Sequence, residues 1–333
     1  MIRTDRIVAA AFVVLVSTAI VGMSTGDSGA SFTGTTTNPS QILQTSTVAA
    51  PASEGAASAI AGRVDLSWPA TTTPANGHTV TYLVLRNGVQ VGTTAALAYS
   101  DTPPADGTYT YTVQTKIAQG AGFFTSASSP AQSPKSDRTA PVMSATCNGG
   151  SCAGWFKASV SFTVSGADGA GVGMGTATTN VDAAGAVSSA APRTVTVSGE
   201  SATHSVVYSG ADAVGNVSGN SSQTVKIDLT APTTATGIAL AKGAVAGDLV
   251  VTWTAATDAL SGVASYTVRY VQASACPAAS VANYPNSVSV GAVTSTTISG
   301  LASNAFHCVY LITDDAAGNA SANSAVGGPG KSK

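Results

Sequence analysis

Two acid-bearing motifs recur in this chain. Asp212-Ala-Val-Gly-Asn216 is matched by Asp315-Ala-Ala-Gly-Asn319, and Asp137-Arg-Thr-Ala-Pro141 returns 91 residues later as Asp228-Leu-Thr-Ala-Pro232. A carboxylate followed by a carboxamide offers oxygen ligands to calcium, which takes six to eight of them. One carboxylate per turn is thin for that ion. The same residues suit a turn, in which Asp caps backbone N–H groups and Gly and Asn accept left-handed geometry. The turn reading is the expectation, and no metal or cofactor site is assigned.

The other reactive side chains are few. Cys147, Cys152, Cys276 and Cys308 are the only cysteines. Cys147 and Cys152 have a C-x4-C spacing without nearby histidines, whereas zinc needs four ligands. Four cysteines allow three pairings. Domain limits favour disulfides Cys147–Cys152 and Cys276–Cys308, with a chain-entropy stabilisation of about 2 and roughly 3.5 kcal/mol. His78, His204 and His307 are far apart in sequence and are expected in surface or turn positions. No Gly-x-Ser-x-Gly elbow presents a nucleophile, and Glu54 and Glu200 are the only glutamates. Gly169-Ala-Gly-Val-Gly173 lacks the strand and helix that a phosphate-binding loop requires. The chain is expected to carry no catalytic residue and to be no enzyme.

The elements around these residues are expected to be strands. Charged residues make up 9%, while Ala, Ser, Thr, Val and Gly dominate. Long helices draw on Leu, Glu, Lys and Arg, so this alphabet favours strands and turns. Val64, Leu66 and Trp68 alternate as a half-buried strand does, and Leu249, Val251 and Trp253 repeat the pattern. Asn87-Gly88 between two strand-like runs predicts a tight hairpin, because it tolerates the positive φ values of a type I′ turn. Trp68 and Trp253 fall in phase with core positions, so they are expected to pack inside rather than to stack on sugars. A formal net charge of −2 without a basic cluster argues against nucleic-acid binding.

The 91-residue echo has the length of one β-sandwich, and 333 residues accommodate three. Trp68, the strand–Asn87-Gly88–strand unit and Gly107-Thr-Tyr-Thr-Tyr-Thr-Val113 occur in the order of a fibronectin type III domain, which residues 48–134 resemble. Residues 233–325 resemble the same family through Trp253, Tyr266-Thr-Val-Arg-Tyr270 and Thr297-Ile-Ser-Gly-Leu301. That family places a Tyr at the corner before its late strand; here Phe306 and His307 stand in that neighbourhood, and the Cys308 disulfide is expected to take over its stapling role. Residues 142–229 differ: Cys152-Ala-Gly-Trp-Phe156, the strand Val160–Val164, the turn Gly166–Ala170 and Asp212–Asn216 resemble bacterial Ig-like repeats of secreted and surface proteins. The resemblance implies an all-β fold of three tandem β-sandwich domains, fibronectin type III-like, bacterial Ig-like and fibronectin type III-like, after an N-terminal hydrophobic helix. A linker spans 135–141, and 326–333 reads as a tail.

Arg3 and Arg6 precede an apolar run from Ile7 to Met23, which fits export. Residues 1–30 read as a signal peptide, with Ser28-Gly29-Ala30 as a cleavage site, or as a retained membrane anchor. Residues 31–47 form a Ser/Thr-rich lead-in. These features predict an extracellular or cell-surface protein whose sandwiches act as spacer and adhesion or interaction modules, with an extracellular protein or polysaccharide as partner. Two alternatives stand beside it. Phe32-Thr-Gly-Thr35 resembles the mature start of camelysin-like fibre subunits, which implies self-association by strand donation. The modules could also serve a secreted polysaccharide-degrading system.

Overall fold

The structure, a computed structural model, describes residues 48–52, 54–71, 79–119 and 122–333, together with two short strands nearer the N-terminus. Those strands, Phe12–Val13 and Ile20–Val21, pair antiparallel. Both fall within the run expected to be an N-terminal helix; the rest of that run, the cleavage site, the lead-in and His78 lie outside the described residues. Among the described residues, no helix is long and apolar enough to cross a membrane.

The chain is all-β, a series of three sandwiches, and divides into two compact units. The first unit holds the residues up to Val142 with the turn segments Gly166–Thr176 and Gly210–Ser218; the second holds Met143–Ser165, Ala177–Ser209 and Gly219–Lys333.

In the first unit, Gly55–Ser58, Val64–Ser67 and Ala98–Asp101 make a three-stranded sheet. A four-stranded sheet runs in the order Gly122–Thr125, Tyr111–Gln119, Val80–Arg86, Val89–Thr94. This three-on-four arrangement agrees with the fibronectin type III resemblance. Strand side chains alternate between faces, so Val64, Leu66 and Trp68 meet Tyr82, Val84, Tyr111 and Val113 in the core. Trp68 and Tyr82 are edge-to-face at 5.5 Å between ring centroids. Asn87 and Gly88 have φ of 49° and 79°, the pair of positive angles that a type I′ hairpin demands. Lys135–Ser136 pairs with Gly107–Thr108, so the linker starts as a strand.

In the second unit, Thr236–Lys242, Leu249–Thr254 and Ser295–Ile298 form one sheet of the third sandwich. Asn286–Gly291, Val263–Gln272, Phe306–Asp315 and Gly327–Lys331 form the other, in that order. Trp253, Tyr266, Val268, Val309 and Leu311 fill the space between them. The final strand, Gly-Gly-Pro-Gly-Lys, lies in the segment expected to be a tail. Its glycines are what admit it: a Cβ at Gly327 would fall 2.3 Å from Ile238, and one at Gly330 would fall 2.3 Å from Leu240. Tyr284, Cys308 and Tyr310 build a small second core on the sheet's other face.

The middle sandwich has a three-stranded sheet, Val142–Cys147, Val160–Ala167 and Arg193–Val197, and a five-stranded one. In the latter, Trp155–Phe156 runs parallel to the end of Ser221–Ile227, which pairs antiparallel with Ser201–Asp212. Met174–Val181 and Val187–Ala190 complete that sheet. Val160, Phe162, Val164, Val206, Val225 and Ile227 carry the core, with Cys147 and Cys152 at its margin.

Candidate functional site

The two recurring motifs converge. In the first unit Asp137 is fully buried at the end of the strand Lys135–Ser136. Its Oδ1 accepts the N–H of Thr139 at 3.1 Å, and its Oδ2 accepts the N–H of Val172 at 2.8 Å. The Asp-x-Thr unit therefore closes a local turn with one carboxylate oxygen and reaches another segment with the other. Asp212, 4% exposed, uses Oδ1 to accept the N–H groups of Val214, Gly215 and Asn216. Gly215 sits at φ +97°, which explains the glycine in that motif.

Asn216 then acts as a clasp. Its Nδ2 donates to the Asp137 carbonyl at 3.0 Å and to Asp212 Oδ2 at 2.6 Å, while its Oδ1 accepts the N–H of Ala61 at 3.0 Å. The Asp137 carbonyl also accepts the N–H of Gly62. One buried carboxamide thus ties the linker, the Asp212 turn and the edge of the first sandwich. Its partner in the linker lies 79 residues away in sequence. Left-handed geometry was expected for Gly and Asn of this motif, but only the glycine adopts it.

The second unit repeats the arrangement. Asp228 is fully buried, and its Oδ1 and Oδ2 accept the N–H groups of Thr230 and Ser261. Asn319 Nδ2 donates to the Asp228 carbonyl at 2.9 Å and to Asp315 Oδ2 at 2.8 Å. The N–H of Asp228 donates to the Phe156 carbonyl, and Lys157 Nζ donates to that of Gly318. Burial works against ionisation of Asp228, yet hydrogen bonds from Ser261 and Thr230 hold its carboxyl below the ordinary value.

Each clasp also gathers a third acid. Asp137, Asp168 and Asp212 each offer an oxygen within 4.8 Å of the others, and so do Asp228, Asp258 and Asp315. Asp168 Oδ2 accepts the N–H of Gly173 at 2.7 Å, whereas its Oδ1 is buried and accepts nothing. Burial raises the Asp168 carboxyl above its ordinary value, opposed by the Gly173 hydrogen bond; the charges of Asp137 and Asp212 raise it further. Asp258 is better satisfied, with Oδ1 accepting from Leu260 and Gly262. Among the described residues, no Lys, Arg or His forms an ion pair with any of these six carboxylates. The motif acids were expected to serve only as turn caps, one per turn. The chain instead brings three together at each place, and Asp168 and Asp258 carried no repeated motif to mark them.

The remaining candidates fall elsewhere. Disulfides join Cys147 to Cys152 and Cys276 to Cys308. His204 is half-buried with both ring nitrogens engaged, Nδ1 on Asp182 at 2.7 Å and Nε2 on the Gly199 carbonyl at 3.0 Å. Neither nitrogen is left to activate a serine. His307 corrects the expectation of surface or turn histidines: it is 2% exposed and neither ring nitrogen has a partner. The tyrosine corner is present in the first sandwich, where Tyr109 donates to the Ala105 carbonyl, and His307 makes no such bond in the third.

No protein-family model and no curated protein matches the chain. Among solved structures it is similar to the FN1–FN3 domains of chicken CNTN1, at 16% identity over 84% of this chain and 97% of that one, with a TM-score of 0.38. It is also similar to domains A168–A170 of titin, at 11% identity over 86% and 96%, with a TM-score of 0.42.

Proposed function

We propose that the chain is a non-catalytic, exported protein of the cell surface or extracellular space, whose tandem sandwiches serve as spacer and interaction modules. The modules run over 48–134, 142–229 and 233–331, the last taking in the strand Gly327–Lys331. The observation that carries this reading is the pair of clasps. Linkers between independent domains are ordinarily exposed and crossed by few contacts. Here each linker aspartate is fully buried, and its carbonyl is bound by an asparagine from a turn far along the chain. Such joints suit modules that must be held apart. Both disulfides fit an oxidising compartment.

The test is made on cells that produce the protein. Membrane-impermeant labelling of its lysines, combined with thiol trapping, should find the chain accessible and all four cysteines blocked. A chain shielded from the label, with free thiols, contradicts the proposal.

A further inference from the structure

We propose that Glu54 is a proton-operated latch on the first sandwich: a proton on its carboxyl fastens the strand Gly55–Ser58, and loss of that proton loosens it. Glu54 is 5% exposed and directly precedes this strand, which lies at the edge of the three-stranded sheet. Its Oε2 accepts the hydroxyl of Ser129 at 2.8 Å, and Ser129 Oγ accepts the N–H of Val113 at 2.9 Å. Val113 belongs to the four-stranded sheet, so one side chain ties the edge strand across the sandwich. An ionised carboxylate has about four lone-pair sites to fill. Glu54 has one donor for them, since Oε1 is buried and accepts nothing. Burial therefore works against its charge and raises the carboxyl above the ordinary value, opposed by the Ser129 hydrogen bond.

The acid form is accommodated by moving hydrogens alone. Glu54 Oε2 then donates to Ser129 Oγ, and the Ser129 hydroxyl turns to the Pro130 carbonyl, 3.3 Å away. The third sandwich shows that second arrangement: Ser324 Oγ accepts the N–H of Leu311 at 2.8 Å and donates to the Ala325 carbonyl at 2.9 Å. Among the described residues no carboxylate binds Ser324, so a sandwich closes at this place without an acid. No counter-charge stands in for the proton, since Glu54 forms no ion pair among the described residues. Gly55–Ser58 and residues 126–132 carry no titratable side chain. On the strands packed around them, Asp65 is bound by Arg63 and Ser100, and Tyr111 donates to Asp101. Lys116 lies over the Phe123 ring, and Lys135 donates to the carbonyls of Ala170 and Gly171.

The proton binds the docked strand more tightly than the free one. Docking is therefore firmest below about pH 4.5 and weakens as pH rises through the higher docked value. The test takes two readings on the full chain. Glu54 and Glu200 are the only glutamates, so 13Cδ-glutamate labelling follows the Glu54 carboxyl directly, assigned by its loss in Glu54→Gln. Its titration midpoint is expected above 4.5. Hydrogen exchange of the Gly55–Ser58 and Ala59 amides, expressed as protection against an unstructured peptide at the same pH, reads the strand. Protection should fall with the same midpoint, about tenfold for each pH unit by which that midpoint exceeds 4.5. Glu54→Gln has no proton to lose there and should abolish this fall. If that variant fails to fold, the coincidence of the two midpoints in the unaltered chain decides alone. A carboxyl midpoint at or below 4.5, protection that does not follow it, or the same fall in folded Glu54→Gln would overturn the proposal.

Discussion

Removing the Asn216 carboxamide should loosen the first joint far more than an ordinary surface change. Asn216→Ala deletes three hydrogen bonds: to the Asp137 carbonyl, to Asp212 Oδ2 and from the Ala61 N–H. A neutral bond contributes about 1 kcal/mol net and one to a carboxylate roughly 2. The Asp137 carbonyl keeps the Gly62 N–H, and water enters the space vacated by the amide, so the sum of about 4 is reduced to about 3 kcal/mol. That corresponds to roughly a hundredfold rise in the population of the open joint. Unfolding of several modules is not a two-state event, so a melting curve is the wrong instrument. Amide hydrogen exchange reads the joint itself. The Gly62 and Val172 amides, bound to the carbonyl and carboxylate of Asp137, should exchange roughly a hundredfold faster in the variant. Exchange within about twofold of the parent chain would refute the clasp. Asn319 makes two of these bonds, so Asn319→Ala should speed exchange of Thr230 and Ser261 by only about thirtyfold.

Three further outcomes follow from the interior of the sandwiches. His307 is buried without partners, and desolvation lowers its folded pKa below 6.5. The unfolded chain therefore binds the proton more readily, so this contribution is whole above about pH 6.5 and is lost as pH falls toward the folded value. Urea unfolding of the third sandwich, followed through Trp253, should show a lower midpoint at pH 5 than at pH 7.5, and His307→Leu should flatten that difference. Tyr111 donates to Asp101 Oδ2 at 2.6 Å in the first core, where Arg86 also binds Asp101. Tyr111→Phe should cost about 1.5 kcal/mol by urea unfolding monitored at Trp68, because Arg86 continues to satisfy the acid. Replacing Cys276 and Cys308 by alanine should cost more than replacing Cys147 and Cys152, roughly 3.5 against about 2 kcal/mol by urea unfolding followed at Trp253 for the first pair and at Trp155 for the second.

The sequence was most legible where the determinant is local. Val64, Leu66 and Trp68, and Leu249, Val251 and Trp253, show the period-two pattern directly, and both sets are buried. Asn87-Gly88 specifies its hairpin through two backbone angles of adjacent residues. The Asp-x-Thr-Ala-Pro echo marked the joints, and proline explained why they would be stiff. What it hid was the other half of each joint. Asn216 and Asn319 look like turn residues, and their carboxamides find the linker carbonyls only after the seven and six intervening strands have been paired. Asp168 and Asp258 sit in unrelated turns, Gly-Ala-Asp-Gly and Thr-Asp-Ala-Leu, so no repeat connects them. His307 was misplaced because a lone histidine carries no periodic signal; its burial follows from its place on the strand Phe306–Asp315, beside Val309 and Leu311. The strand Gly327–Lys331 was unreadable because its defining property is the absence of side chains.

The claim that the joints are clasped has a direct chemical test, since each linker carries a residue that a protease recognises. Trypsin cuts after Arg138, and chymotrypsin after Leu229, which is 48% exposed. If Asp137 and Asp228 are held as described, native chain treated with either enzyme should keep the Arg138–Thr139 and Leu229–Thr230 bonds intact, while Asn216→Ala is cut at the first and Asn319→Ala at the second. Cleavage of the native chain at these bonds as fast as in an unfolded peptide would contradict the account.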